Sequence, residues 1–260
     1  MMKRLIIAII SILALFGNMQ AQELILKADT AYTKADYNTA LRLYKEAADS
    51  LGTGAELYYN LGNAYYRTGN IAQAIIAYER ALKIAPSFSE AKENLDFVNS
   101  KIVDKPGERF SFIELSLRNI ALTFSSDTWA TIGLILFVIL IACALTYYFT
   151  SNVALRKTGF FGGFVVLILC IISIAEAFYG KRLSTSDSEA IVTAKSTILS
   201  TSPRTPLNSN EEAMLLHEGT KVYILDSVRV ESDSVSTVWY DVKVDDTHRA
   251  WISQRAIEKI

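Results

Sequence analysis

The sequence predicts a multi-domain membrane protein with an all-α repeat module, a two-helix transmembrane hairpin and a small all-β barrel. Three observations predict this architecture: two apolar runs near the middle of the chain, a recurring pattern of apolar and small residues before them, and short β-rich runs after them. The 26 Lys and Arg residues nearly balance the 27 Asp and Glu residues. This balance gives no electrostatic reason to expect nucleic-acid binding.

Residues 1–21 have the pattern of a secretory signal peptide. Lys3 and Arg4 precede the apolar run Leu5–Phe16, and Ala21 supplies the small residue before the cleavage point. We expect the following segment outside the cytoplasm, whether the signal is cleaved or remains as an anchor.

Residues 22–104 contain an internal repeat with a period of about 34 residues. The second copy, 55–88, has its pattern positions at Tyr58, Leu61, Gly62, Tyr65, Ala74, Tyr78, Ala81 and Pro86. The first copy, about 21–54, has Leu24, Ala28, Ala40, Tyr44 and Ala47 at matching places. The segment resembles tetratricopeptide repeats, and Ser89–Val103 has the apolar spacing of a capping helix. Two repeats are fewer than the three usually needed for stability, so we expect this module to rely on a partner or on the membrane.

The resemblance to tetratricopeptide repeats implies pairs of helices whose first members form a concave, peptide-binding face. It implies partner-binding residues on that face at Asp29, Tyr32, Tyr59, Asn60, Asn63, Tyr66 and Arg67. For any one of the tyrosines, packing against a neighbouring helix stays open as the alternative.

Residues 105–128 form an amphipathic linker. Phe112, Ile113, Leu117 and Ile120 fall largely on one helical face, which is typical of a helix that lies at a membrane surface. A core helix of a soluble domain is the competing interpretation.

The predicted transmembrane helices are 129–149 and 160–180, joined by a connector at 150–159. Each apolar run has about 20 residues, enough to cross ~30 Å of hydrocarbon as a helix. Two crossings return the chain to its starting side, so both flanking modules share one compartment. Arg156 and Lys157 favour a cytoplasmic connector.

Residues 184–260 change to a β-rich pattern. About five short strands are expected, at Ala190–Thr193, Met214–Leu216, Lys221–Leu225, Val238–Val244 and Ala250–Ser253. The order of features resembles the bacterial SH3-like family, with Leu216–Val222, Trp239–Val242 and Ala250–Ile252 in the matching places. The sequence departs from that family at Ser200 and at Arg249-Ala250. The resemblance implies an aromatic cleft for a partner, formed by Tyr223, Trp239, Tyr240 and Trp251; a core position for Trp251 stays open.

Nothing in the sequence predicts an enzyme. The two histidines, His217 and His248, lie in separate polar surroundings, and Cys143 and Cys170 lie within the apolar runs. No phosphate-binding loop or nucleophile motif is present in the sequence. We therefore expect no catalytic residues, no metal and no cofactor.

The order of modules, together with the run Tyr59–Tyr65, resembles the BatE-type proteins of the Bat aerotolerance operon. The resemblance implies a periplasm-facing adaptor or scaffold in a bacterial inner membrane, with von Willebrand A-type membrane proteins and a MoxR-type ATPase in the same assembly. The alternative is a cell-wall tether or sensor whose SH3-like domain binds peptidoglycan peptides. In both interpretations the partners are proteins or peptides and the lipid bilayer, not nucleic acid.

Overall fold

The computed structural model describes residues 22–51, 54–105, 111–232 and 235–260. The predicted signal peptide, residues 1–21, lies outside the described residues. The chain divides into two compact units. Among the described residues, the first contains five α-helices and a C-terminal β-sheet, and the second contains the three α-helices that lie between them in sequence.

The helices of the first unit are α1 (22–33), α2 (Tyr37–Leu51), α3 (Ala55–Arg67), α4 (Ile71–Ile84) and α5 (Ser89–Asn99). The turn inside each pair adopts a left-handed backbone conformation. Gly69 does so with φ 80°, whereas the first pair uses Ala35 with φ 61°. Asp36 then accepts a hydrogen bond from Thr39 N at 3.2 Å, which caps α2. The first pair thus turns without a glycine.

Small residues at the repeated positions let the paired helices approach closely. Ala28, Ala40 and Ala74 are fully buried. A Cβ atom on Gly62 would lie 2.5 Å from the ring of Tyr78, so only glycine fits there. The pattern positions of the repeat are therefore packing positions.

The C-terminal part of the chain folds into a curled antiparallel sheet. Its strands are β1 (Glu189–Val192), β2 (Ser196–Ser200), β3 (Glu212–His217), β4 (Lys221–Ser232), β5 (Val235–Lys243), β6 (Arg249–Ser253) and β7 (Ile257–Lys259). Their order in the sheet is β3-β2-β6-β5-β4-β1-β7. This half-barrel is compatible with an SH3-like barrel.

The prediction of about five strands is wrong, because the described residues form seven. β2 was missed because its first residues, Ser196 and Thr197, are polar and only Leu199 and Ser200 are buried. β7 was missed because it has three residues. β4 continues beyond its predicted last residue, Leu225, and β5 begins before its predicted first residue, Val238. A register shift between Ile224 and Asp226 accompanies this longer pairing, which reaches Ser232 and Val235.

The sheet packs against α4 within the first unit. Ile75 and Ile76 of α4 share one apolar cluster with Ile191 of β1 and with Ile260. We call this contact, with the polar pairs around it, the α4–sheet interface. The α4–sheet interface covers the apolar side of α4 in the second repeat, a module for which the sequence predicts support from a partner or the membrane.

Buried and half-buried polar groups join the same two elements. Lys221 of β4 lies between Glu79 of α4, at 2.9 Å, and Glu189 of β1, at 3.0 Å. Arg80 of α4 forms an ion pair with Glu258 of β7 at 2.9 Å. These pairs fix the register of the helix on the sheet.

Asp104, which follows α5, is bound by the turn between β3 and β4. Its Oδ2 accepts hydrogen bonds from His217 N and Thr220 Oγ1, both at 2.6 Å, and its Oδ1 lies 2.9 Å from His217 Nδ1. Burial alone would raise the pKa of Asp104, but these hydrogen bonds hold it below its ordinary value of about 3.9.

We expect Asp104→Asn to destabilise the protein near pH 6 and to reduce its loss of stability in acid. A carboxylate with a depressed folded pKa contributes stability above its unfolded pKa, and that stability is lost as the pH falls through the folded pKa. Denaturant unfolding at pH 6, 4 and 2.5 measures both proteins. Their stabilities should converge towards low pH; a constant difference would contradict the assignment.

The second unit contains α6 (Phe112–Ala121), α7 (Ser126–Phe149) and α8 (Val153–Ser184). Helices α7 and α8 are long and apolar enough to cross a membrane. Helix α8 begins at Val153, inside the predicted connector 150–159, so the helix is longer than the predicted span 160–180. Asn152 causes the earlier start: its side chain accepts a hydrogen bond from Ala154 N at 2.9 Å and caps the helix.

Small residues line the seam between α7 and α8. A Cβ atom on Gly159 would lie 2.9 Å from Cys143 O and 3.0 Å from Tyr147 N. Ser173 Oγ donates a hydrogen bond to Trp129 O at 2.7 Å. Close backbone packing such as that at Gly159 is typical of helix pairs in lipid.

Glu176 is buried in this unit, and its Oε2 has no hydrogen-bond partner among the described residues.

We expect Gly159→Ala to destabilise the helix pair by about 1–3 kcal/mol, because the new methyl group meets backbone atoms that cannot rotate away. Gly162→Ala is the matched control, since a Cβ there meets nothing within 4 Å. Thermal unfolding of the full chain in detergent, followed by circular dichroism, measures both. Equal midpoints would show that the seam is looser than described.

Candidate functional site

A cavity of about 570 Å³ lies on the face formed by the first helix of each pair and by α5. We call it the repeat groove. Its lining residues come from four helices and are Tyr32, Tyr59, Asn63, Tyr66, Arg67, Tyr78, Asn94, Phe97 and Val98.

An amide pair lies at the centre of the repeat groove. Asn63 Oδ1 accepts hydrogen bonds from Tyr78 Oη at 2.7 Å and from Asn94 Nδ2 at 2.8 Å. Burial raises the pKa of Tyr78, so its hydroxyl stays protonated and can donate. Within the described residues, Asn63 Nδ2 and Asn94 Oδ1 have no recorded partner. One donor and one acceptor therefore remain for a ligand.

Aromatic rings form the walls of the groove. Tyr66 meets Phe97 edge to face, with 5.6 Å between ring centroids. Tyr59 lies 5.0 Å from Phe88 and 6.1 Å from Tyr78 by the same measure. The rings hold each other in place, which lowers the conformational cost of contacting a ligand.

Arg67 is the one charged residue among those that line the groove. Its guanidinium lies 5.7 Å from the ring of Tyr37, and the hydroxyl of Tyr32 raises its pKa. Arg67 is exposed. Held by Tyr32 and Tyr37, it offers an exposed positive charge beside the aromatic walls, suited to a carboxylate.

The groove brings together Tyr32, Tyr59, Asn63, Tyr66 and Arg67 of the seven residues implied by the repeat pattern. The other two lie outside its lining. Asp29 accepts a hydrogen bond from Tyr44 Oη at 2.6 Å, and Asn60 is half-buried elsewhere on α3. For all seven residues, partner binding stays a prediction.

Four lining residues were not predicted: Tyr78, Asn94, Phe97 and Val98. The sequence pattern predicts only a repeat-pattern position for Tyr78 and only a capping role for α5. One feature of the sequence could have indicated that α5 lines the groove: Phe97 is an aromatic residue on the polar side of the predicted capping helix. It is 49% exposed in the structure.

The four aromatic residues of the predicted SH3-like cleft do not share one face of the sheet. Tyr240 lies on the side of the apolar core, and Trp239, with 8% exposure, is buried. Trp251 is opposite Asp241 in the ladder, and Tyr223 is opposite Glu189. Tyr223 and Trp251 are both half-buried. A common cleft for these four residues stays a prediction that the sheet geometry does not favour.

The described residues contain no group of three or more His, Cys, Asp and Glu side chains that could hold a metal ion. His217 bonds to Asp104, and His248 Nδ1 lies 2.8 Å from Asp245 Oδ1. Both histidines therefore pair with carboxylates that stabilise turns.

A family model described as Tetratricopeptide repeat matches residues 55–88 of the chain. Repeats of this family are typically non-catalytic modules that bind other proteins. No curated protein matches the chain in sequence. The matched residues are those of α3 and α4, which supply five of the residues that line the groove.

Proposed function

We propose that the chain is a membrane-anchored adaptor whose repeat groove binds an extended segment of a partner protein. The groove carries this proposal: it combines aromatic walls, an amide donor and acceptor, and one exposed arginine in about 570 Å³. The donor and acceptor fit a peptide backbone, the rings fit apolar side chains, and Arg67 fits an acidic side chain. We therefore expect a partner segment with apolar residues next to Asp or Glu.

The membrane anchor in this proposal is the pair α7 and α8. Their apolar side chains are largely exposed, unlike those of a core helix in a soluble protein. The contacts between α4 and the sheet add independent support. Because α4 and the sheet pack together, they must lie in one compartment. Two membrane crossings between them, by α7 and α8, meet this requirement.

The finer assignment rests on the resemblance to BatE-type proteins. We infer a bacterial inner membrane, with the repeats and the sheet in the periplasm and von Willebrand A-type membrane proteins as partners. Arg156 and Lys157, which lie in the first turns of α8, support a cytoplasmic side for the tip of the hairpin.

In-cell photo-crosslinking tests this proposal. A photoreactive residue replaces Phe97, which lines the groove, or Leu26, which is 66% exposed on α1 outside it. We expect the Phe97 position alone to capture a partner, through a segment that contains Asp or Glu. Captured von Willebrand A-type proteins would support the Bat assembly, whereas wall fragments alone would favour the tether.

Charge reversal provides the matched comparison. Arg67→Glu should remove most of the capture at the Phe97 position, because it replaces an attraction to the partner's carboxylate by a repulsion between like charges. Arg42→Glu reverses an exposed charge that pairs with Glu46 on α2 and should leave capture unchanged. Identical adducts from both photoreactive positions, or capture that Arg67→Glu leaves undiminished, would overturn the groove assignment.

A further inference from the structure

Helix α6 presents an apolar face that no described part of its unit covers. Phe112 is 84% exposed and Ile113 is 70% exposed. Leu117 and Ile120 lie on the same helical face as Ile113 and are exposed as well, and Phe112 lies to one side of that face. A core helix would have buried these side chains, so the soluble alternative for this segment does not fit the second unit.

The C-terminal end of α6 is fixed to the helix pair. Trp129 Nε1, in the first turn of α7, donates a hydrogen bond to Ala121 O at 3.1 Å. Ala121 is buried, and a Cβ on Gly180 of α8 would lie 3.6 Å from Ala121 O. Phe124 packs edge to face on Trp129, with 5.5 Å between centroids. Helix α6 therefore lies at the end of the pair where α7 begins and α8 ends.

The polar residues of α6 point away from the apolar face. On a helical wheel, Ile113, Leu117 and Ile120 fall within about 60°, whereas Glu114 lies about 90° and Arg118 about 130° from the centre of that arc. One acid and one base cancel, so attraction to charged lipid contributes little. Ser111 caps the helix by accepting a hydrogen bond from Glu114 N.

We propose that α6 lies in the bilayer interface, with the face formed by Ile113, Leu117 and Ile120 inserted among lipid chains and Glu114 in water. The occupant of this face is lipid, because the same unit presents the exposed apolar surface of α7 and α8 and α6 is held at its end. The inference rests on the proposed membrane anchoring and adds a third contact with the bilayer.

Site-directed spin labelling of the full chain tests this. Cys143→Ala and Cys170→Ala remove the two cysteines present in the sequence, and single cysteines are then placed at Ile113, Leu117, Ile120, Glu114 or Val138. The labelled protein is reconstituted in phosphatidylcholine vesicles. Accessibility to oxygen, which partitions into lipid, is compared with accessibility to a water-soluble nickel complex.

Val138, in the middle of α7 and 58% exposed, reports on the anchor itself. We expect oxygen to dominate at Val138, Ile113, Leu117 and Ile120, and nickel to dominate at Glu114. If Val138 is lipid-exposed but the three α6 positions match Glu114, or are closed to both reagents, only this inference fails. If Val138 itself is in water, the membrane anchor fails and the inference falls with it.

Discussion

Replacing Gly219 by alanine is expected to destabilise the first unit by about 2–5 kcal/mol. Gly219 has φ 89°, a conformation that strains a residue with a side chain. A Cβ there would also lie 2.6 Å from Ile102 Cγ2 and 3.0 Å from Ile75 Cδ1, inside the α4–sheet interface. Strain and overpacking each cost about 1–3 kcal/mol. Denaturant unfolding of the full chain in detergent, followed by the fluorescence of Trp239 and Trp251, measures the loss.

Gly69→Ala separates the two contributions. Gly69 has φ 80°, close to that of Gly219, but a Cβ there meets nothing within 4 Å. Gly69→Ala should therefore lower the free energy of unfolding by the backbone strain alone. If both substitutions destabilise the protein equally, the sheet does not pack on Ile75 and Ile102 as described.

Replacing Lys221 by methionine is expected to cost about 3–5 kcal/mol, the penalty for leaving buried charge without its partner. The Lys221 side chain is 14% exposed, and those of Glu79 and Glu189 are 15% and 7% exposed. Burial alone would lower the pKa of Lys221, but the two carboxylates hold it above its ordinary value. Its ammonium group therefore stays charged and stabilises both of them.

Removing the carboxylate charges should restore stability. Adding Glu79→Gln and Glu189→Gln to Lys221→Met is expected to recover part of the loss, because the two buried carboxylate charges are removed while Lys83, which interacts with both, keeps its hydrogen bond to Ile260 O. Lys27→Met is the surface control: Lys27 pairs with Glu23 at 2.7 Å in an exposed position, and its loss should cost less than about 1 kcal/mol. If Lys221→Met behaves like Lys27→Met in the same unfolding assay, the three groups do not form a buried triad.

The repeat groove could be largely predicted because the repeat register is local information. Once Gly62 and Tyr65 are placed on the packing faces of α3, the helical period puts Tyr59, Asn63 and Tyr66 on the concave side. The same reasoning could not place Tyr78, because Tyr78 lies on α4, the second helix of the pair. Its hydroxyl reaches the groove by donating a hydrogen bond to Asn63 of α3.

The α4–sheet interface could not be predicted, because it joins distant parts of the chain. Glu79 and Lys221 form an ion pair, yet each reads in the sequence as an ordinary surface charge. Strand β2 could not be predicted from the sequence for a related reason. Its residues Ser196 and Thr197 lack alternating hydrophobicity, and the strand exists because β3 and β6 pair with it.

The first unit is built from two stretches of chain that lie on either side of the helix pair in sequence. Gln73 Nε2 donates a hydrogen bond at 2.7 Å to Glu258 Oε2, which lies 185 positions further along the chain. Ribosomal synthesis delivers α4 before α7, α8 and the strands of the sheet, so Ile75 and Ile76 have no cover from Ile191 and Ile260 until those later segments have been made. During that interval α4 exposes an apolar surface that a chaperone can bind. Packing of the second repeat is thus completed only after the two apolar helices have left the ribosome.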